Sequence, residues 1–196
     1  MLSPIAGFVL GPYNGFVSTL IAVMVGHLIS PRETAYEFVF TLGAPVGSMM
    51  SGFAFEGKLT RVFAYYTFVL AAYFATPVSR LLPIWGMWDC YLAYALLAFL
   101  LLLSGARKAG KLVKRVSPFA LSAFLGLEAD VLLRIFIFVP LQTYRLFYGL
   151  TPEALAAIWA APAPIITPFK VLLSTLTAAL VGPRVKRYLS NKGYLR

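Results

Sequence analysis

Hydrophobic positions in this chain come as long runs rather than as the alternating or 3.6-residue patterns of a half-buried strand or helix. Six apolar runs, free or nearly free of charge apart from the fifth and one lysine in the sixth, cover residues 4–30, 36–56, 62–78, 87–106, 118–140 and 165–183. A helix needs about 20 apolar residues to cross the ~30 Å hydrocarbon layer, so each run predicts a transmembrane helix. The expected fold class is all-α: one bundle of six transmembrane helices over residues 1–196, with no second domain. The first run does not read as a signal peptide, because it lacks a basic start and Gly11-Pro12-Tyr13-Asn14 interrupts it.

The fifth run is the exception, because it carries Glu128, Asp130 and Arg134. A charge at the middle of a membrane helix costs at least ~2.5–3.5 kcal/mol, so such groups pair, face the protein interior and mark functional sites. Counted from Pro118 at a 1.5 Å rise, Glu128 lies ~15 Å in, Asp130 ~18 Å and Arg134 ~24 Å. Asp130 and Arg134 are four apart and can pair on one face. Glu128 lies about 200° around the helix from Asp130, so it needs another partner or a proton. Two readings stay open: a neutralised packing pair beside a protonated Glu128, or direct contact with a polar ligand or coupling ion.

Composition agrees with the runs. Hydrophobic residues make up 60%, charged residues 12%, and the mean hydropathy is +0.82; soluble domains carry about 25% charged residues. The chain is expected in the cell membrane as a multi-pass protein. The net charge of +10 changes the picture only through its distribution. Lys58 and Arg61, Arg107 to Arg115, and Arg184 to Arg196 fall on one side, against Arg32, Arg80 and Arg145 on the other. The positive-inside rule then puts both termini in the cytoplasm. The basic excess reads as orientation and contact with anionic lipid, and no nucleic-acid partner is expected.

Small residues recur at helical spacing in the first run (Gly7, Gly11, Gly15, Ser18, Ala22, Gly26) and in the second (Gly43, Gly47, Ser51). Small residues let backbones approach. They serve either packing between these two segments or docking of a partner helix on Gly7, Gly11, Gly15, Ala22 and Gly26. Pro12 after Gly11 predicts a kink or a short break near the cytoplasmic end.

Candidate chemistry lies in the outer half. Trp85 and Trp88 sit in a loop before the fourth run and fit either an interfacial belt or a wall over a site. Asp89 reads as the N-cap of that run. A short surface helix is expected from Thr151-Pro152-Glu153 through Trp159, after Tyr144 and Tyr148. Lys170 either snorkels outward or joins Asp130 and Arg134 in a pocket. The candidate substrate site is therefore Glu128, Asp130, Arg134 and Lys170 with Trp85, Tyr144 and Trp159. Arg134 and Lys170 against Asp130 leave it net positive if Glu128 faces away, which suits a solute with an anionic or carbonyl-rich group and a ring on the aromatic side chains.

Other chemistries lack their residues. The single Cys90 excludes an internal disulfide and a cysteine metal cluster, and reads as a buried thiol. The single His27 excludes histidine-rich metal chemistry. No metal site and no cofactor is expected. There is no Gly-x-x-x-x-Gly-Lys-Ser/Thr loop, no Ser/His constellation and no carboxylate pair on the cytoplasmic side, so the chain is not read as an enzyme.

Three stretches resemble the substrate-binding S components of energy-coupling factor (ECF) transporters: Gly11-Pro12-Tyr13-Asn14-Gly15 with the small-residue helix to His27, Phe38 to Ala44 running into Gly47 and Gly52, and Ile165-Ile166-Thr167-Pro168-Phe169-Lys170 entering the last helix. The resemblance implies a six-helix subunit that binds a vitamin, vitamin precursor or metal ion from outside under loops. It also implies a coupling subunit and ATPase subunits as partners. A scaffold packing through glycine faces, or a stand-alone carrier or channel, is the alternative.

Overall fold

The computed structural model describes residues 3–29, 37–105 and 117–193, and the regular structure among them is entirely helical. The first apolar run forms two helices, α1 (Ser3–Leu10) and α2 (Pro12–Ile29), where one span with a kink or short break was expected. Gly11 between them has φ +84°, a conformation that glycine takes without a Cβ clash, and Pro12 starts α2 with φ already set for a helix. The chain turns back so tightly that a Cβ on Gly15 would lie 2.7 Å from the Cα of Gly7. Then follow α3 (Glu37–Thr41), α4 (Gly43–Phe55) and α5 (Leu59–Ala75). Two 3-10 turns, Pro77–Leu81 and Ile84–Met87, lead into α6 (Trp88–Gly105). The last four helices are α7 (Pro118–Phe138), α8 (Thr143–Tyr148), α9 (Pro152–Ala160) and α10 (Ala163–Asn191). Arg32 and the basic stretch 107–115 lie outside the described residues.

Among the described residues, four stretches are long and apolar enough to cross a membrane: Pro12–Ile29, Phe38–Phe55, Ile84–Leu103 and Ala163–Asn191. Four of the six expected spans thus meet the length and composition of a membrane-crossing helix. α5 is apolar but only 17 residues long. α7 has 21 residues but carries the three charges. α1, at 8 residues, reaches only ~12 Å.

The charged helix α7 is the centre of the bundle and touches α1, α4, α5, α6 and α10. Its closest neighbour is α4. A Cβ on Gly47 would stand 2.6 Å from the carbonyl oxygen of Gly126, and one on Gly126 2.5 Å from that of Gly47. The two backbones are in direct contact, which larger side chains would prevent. The first segment packs on the second as expected, with Ser51 donating to the Pro4 carbonyl (3.3 Å), but not through the glycines of the second series. Gly43 and Gly47 face α7, and it is Ser48 and Gly52, further round α4, that receive Gly7, Pro12 and Gly15. From the other side, α5 donates two hydroxyls to backbone carbonyls of α7: Tyr65 to Ala129 (2.9 Å) and Tyr66 to Leu125 (2.8 Å). These bonds fix the rotation of α7 about its axis.

The two ends of the bundle differ in charge. Lys58, Arg61 and Lys186 share one end, where Arg61 donates to the Tyr13 hydroxyl (3.3 Å) and the Lys186 ammonium lies 4.0 Å from the Phe55 ring centre. The 3-10 turns, α8 and α9, with Arg80 and Arg145, form the other end.

Candidate functional site

The end formed by the 3-10 turns holds a cavity of about 370 Å³. α7 supplies Val131, Arg134 and Ile135 to it, and α10 supplies Ala163, Thr167, Lys170 and Val171. Gly86, Asp89 and Trp159 complete the lining. The roof is tied together by tryptophans. The Trp85 indole donates to the Ala160 carbonyl (3.1 Å) and the Trp88 indole to that of Pro164 (2.9 Å). Trp159 fills the space that a side chain on Gly86 would need and stacks on Phe138, with ring centres 6.2 Å apart at 10°. Thr151 accepts from the Ala154 N–H and caps α9 as its sequence predicted, which sets the helix that carries Trp159.

Arg134 reaches the cavity from a two-point ion pair. Its Nε donates to Asp130 Oδ1 (2.6 Å) and its Nη2 to Oδ2 (3.2 Å). The Asp130 carboxylate lies where a side chain on Gly43 would stand, and its Cβ is 2.9 Å from the Cβ position of Gly47. The glycines of α4 thus make the cradle for this pair. Lys170 is exposed at the cavity and has no ion-pair partner among the described residues.

Glu128 points the other way, as the helical angle predicted. It is fully buried against α6, where its Oε2 accepts from the Cys90 thiol at 3.4 Å. Asp89, also buried, accepts the Cys90 N–H on Oδ1 (3.0 Å). One ligand-type atom each from Asp89, Cys90 and Glu128 lies within 4.8 Å of the others. Asp89 Oδ2 and Glu128 Oε1 have no hydrogen-bond partner. Two ionised carboxylates at that distance would repel by about 3 kcal/mol at an effective dielectric constant of 20. Both residues also line a second opening of about 480 Å³, an apolar groove between α6 and α10 with Trp88, Leu92, Phe169 and Leu172 on its walls.

The structure therefore brings together Arg134, Lys170 and Trp159 of the sequence-derived site, with Asp130 behind Arg134. Three members belong elsewhere. Glu128 faces α6. Tyr144 is buried beside Phe138 (ring centres 6.1 Å) and does not line the cavity. Trp85 is exposed and serves the roof through its indole N–H. Of the partner-packing set, Gly7 and Gly15 are buried inside the chain and Gly11 makes the turn, which corrects a shared outer face; Ala22 and Gly26 are exposed. Asp89 and Gly86 were missed. Asp89 lies within the first turn of α6, one residue past the helix start, so it is not the N-cap. Its signal was the succession Trp88-Asp89-Cys90 at a membrane helix start, where a carboxylate of either role looks alike. His27 packs its ring edge-on to Phe38 (6.0 Å), away from the cavity. No family model, curated protein or solved structure matches the chain.

Proposed function

We propose that this chain is a multi-pass cell-membrane protein with cytoplasmic termini that binds a small solute from outside. In this reading it is the substrate-binding subunit of an uptake system whose energy comes from separate coupling and ATPase subunits, as the likeness to ECF S components implies. The observation that carries the reading is the convergence of Arg134, Lys170, Asp89 and Trp159 on one roofed cavity at the less basic end. Its volume is in the range of small-molecule sites, which pair apolar walls with a few placed polar groups. Arg134 and Lys170 suit an anionic or carbonyl-rich group, Asp89 an N–H donor, and Trp159 with Ile135 a ring. The exposed face of α2, with Val17, Ile21, Val25 and Gly26, where an added Cβ would meet open space, suits a partner helix.

Native mass spectrometry of the protein purified in mild detergent tests this, beside an Asp130→Asn/Arg134→Gln variant and a Lys170→Ala variant. The expected result is a copurifying small molecule that the wild type retains and both variants lose. If the wild type carries none, and vitamins, precursors and anionic ring compounds all fail to raise its melting temperature, the reading is wrong and a scaffold replaces it.

A further inference from the structure

On the far face of α7 the solute cavity leaves Cys90 and Glu128 unused, and Asp89, which borders that cavity, stands beside them with one oxygen on the Cys90 N–H. We infer that Asp89, Cys90 and Glu128 form a binding site for one divalent transition cation of borderline softness, of the Zn²⁺ class. This goes beyond the solute-binding reading and does not depend on it.

Four observations carry the inference. First, the donor set is right: two carboxylates and a thiol offer oxygen and sulfur, the mixture that borderline transition metals take and that Mg²⁺ and Ca²⁺ do not. Second, the spacing of one pair fits, and Asp89 lies within 4.8 Å of both, close enough to join it by a small shift of its side chain. Cys90 Sγ and Glu128 Oε2 are 3.4 Å apart, and Zn–S and Zn–O bonds of ~2.3 and ~2.0 Å at a tetrahedral angle place the two atoms about 3.5 Å apart. Third, Asp89 is 3% exposed and Glu128 0%, and each keeps an oxygen, Oδ2 and Oε1, without any partner. Of the seven buried polar atoms without a partner among the described residues, these two are the only carboxylate oxygens; a buried carboxylate oxygen is normally satisfied, so two in one cluster point to a missing partner. Fourth, no cation among the described residues pairs with them: Arg134 is engaged by Asp130, and neither Asp89 nor Glu128 has an ion pair there. A bound divalent ion would neutralise both carboxylates at once. It has a way in, because Asp89 lines both the outer cavity and the groove between α6 and α10.

Cobalt is the probe, because Co²⁺ bound to a thiolate gives a charge-transfer band in the near ultraviolet and Cys90 is the only cysteine. Untagged full-length protein in detergent, freed of metal with a chelator, is titrated with Co²⁺ and then with Zn²⁺. We expect a band that saturates at one equivalent, is displaced by one equivalent of Zn²⁺ and is unmoved by a large excess of Mg²⁺. Cys90→Ser removes the band, and Glu128→Gln and Asp89→Asn each lower the affinity at least ~10-fold. Absence of the band in the wild type overturns the inference by itself, whether or not the variants fold, and leaves a proton shared by the two carboxylates in its place. Undiminished Zn²⁺ binding by Cys90→Ser and Glu128→Gln overturns it as well. Lys170→Ala separates the two sites: it should weaken solute retention and leave the cobalt spectrum unchanged.

Discussion

The two faces of α7 handle charge in opposite ways. On one, Asp130 and Arg134 neutralise each other four residues apart over the bare backbone of Gly43 and Gly47. On the other, Glu128 accepts from a thiol and faces a second carboxylate, both from α6, with no cation paired to either among the described residues. The first arrangement is closed within one helix, and its balance follows from spacing alone. The second is assembled from two helices and is not balanced by any cation among the described residues. One helix thus combines a finished electrostatic unit, which shapes a cavity, with an unfinished one that calls for a proton or a cation.

Four substitutions probe this contrast. Gly47→Leu has the largest expected effect. Its side chain would have to displace the Gly126 carbonyl backbone, at a cost of about 3 kcal/mol or more, and the cradle of Asp130 goes with it. The check is loss of the monodisperse peak in detergent gel filtration; a normal elution profile would mean that the α4–α7 contact is looser than described. Arg134→Ala comes next. The Arg134 side chain is 43% exposed and that of Asp130 14%, so the loss should be about 1–2 kcal/mol, below the 3–5 kcal/mol of a fully buried pair. Thermal unfolding should show part of it recovered in Asp130→Asn/Arg134→Gln, and additive losses would show that the pair is not coupled.

Tyr66→Phe leaves the Leu125 carbonyl without its donor, for about 1 kcal/mol, and loosens the rotation that keeps the two faces apart. Its signature is a lower melting temperature in detergent with the oligomeric state unchanged. Glu128→Gln should have the smallest effect. With metal removed, it should leave stability unchanged or raise it by up to about 1 kcal/mol, because it removes one of two facing carboxylates. A loss as large as that of Arg134→Ala would give Glu128 a partner of its own and erase the contrast.

Much of the fold was legible wherever the physics was local. The run from Pro118 announced a helix, the i, i+4 spacing its ion pair, and the 200° offset the separate direction of Glu128. Thr151-Pro152-Glu153 announced α9. The convergence of Lys170 on Arg134 followed from depth along two helices, and that of Trp159 from the short surface helix expected above them. What stayed hidden depended on tertiary contact. Gly11-Pro12 predicted a kink or a short break, yet the full reversal that packs α1 under α2 is decided by Ser48 and Gly52 on another helix. Tyr144 and Trp85 have the composition of site residues, and only packing against Phe138 and Ala160 removes them from it. Asp89 carried the ordinary signal of a helix start. Its burial opposite Glu128 arises because α6 and α7 meet there, and nothing within ten residues of Asp89 encodes that meeting.

Asp89 is one carboxylate bordering two chambers, and this has a thermodynamic consequence. Any occupant that changes its charge from the groove side changes the potential in the outer cavity, a few ångströms away. Binding free energies are reciprocal: if occupancy at α6 alters solute affinity by some factor, the solute alters that occupancy by the same factor, with each tenfold worth about 1.4 kcal/mol. A single residue in a shared wall is therefore enough to make two sites report on each other, with no movement of any helix.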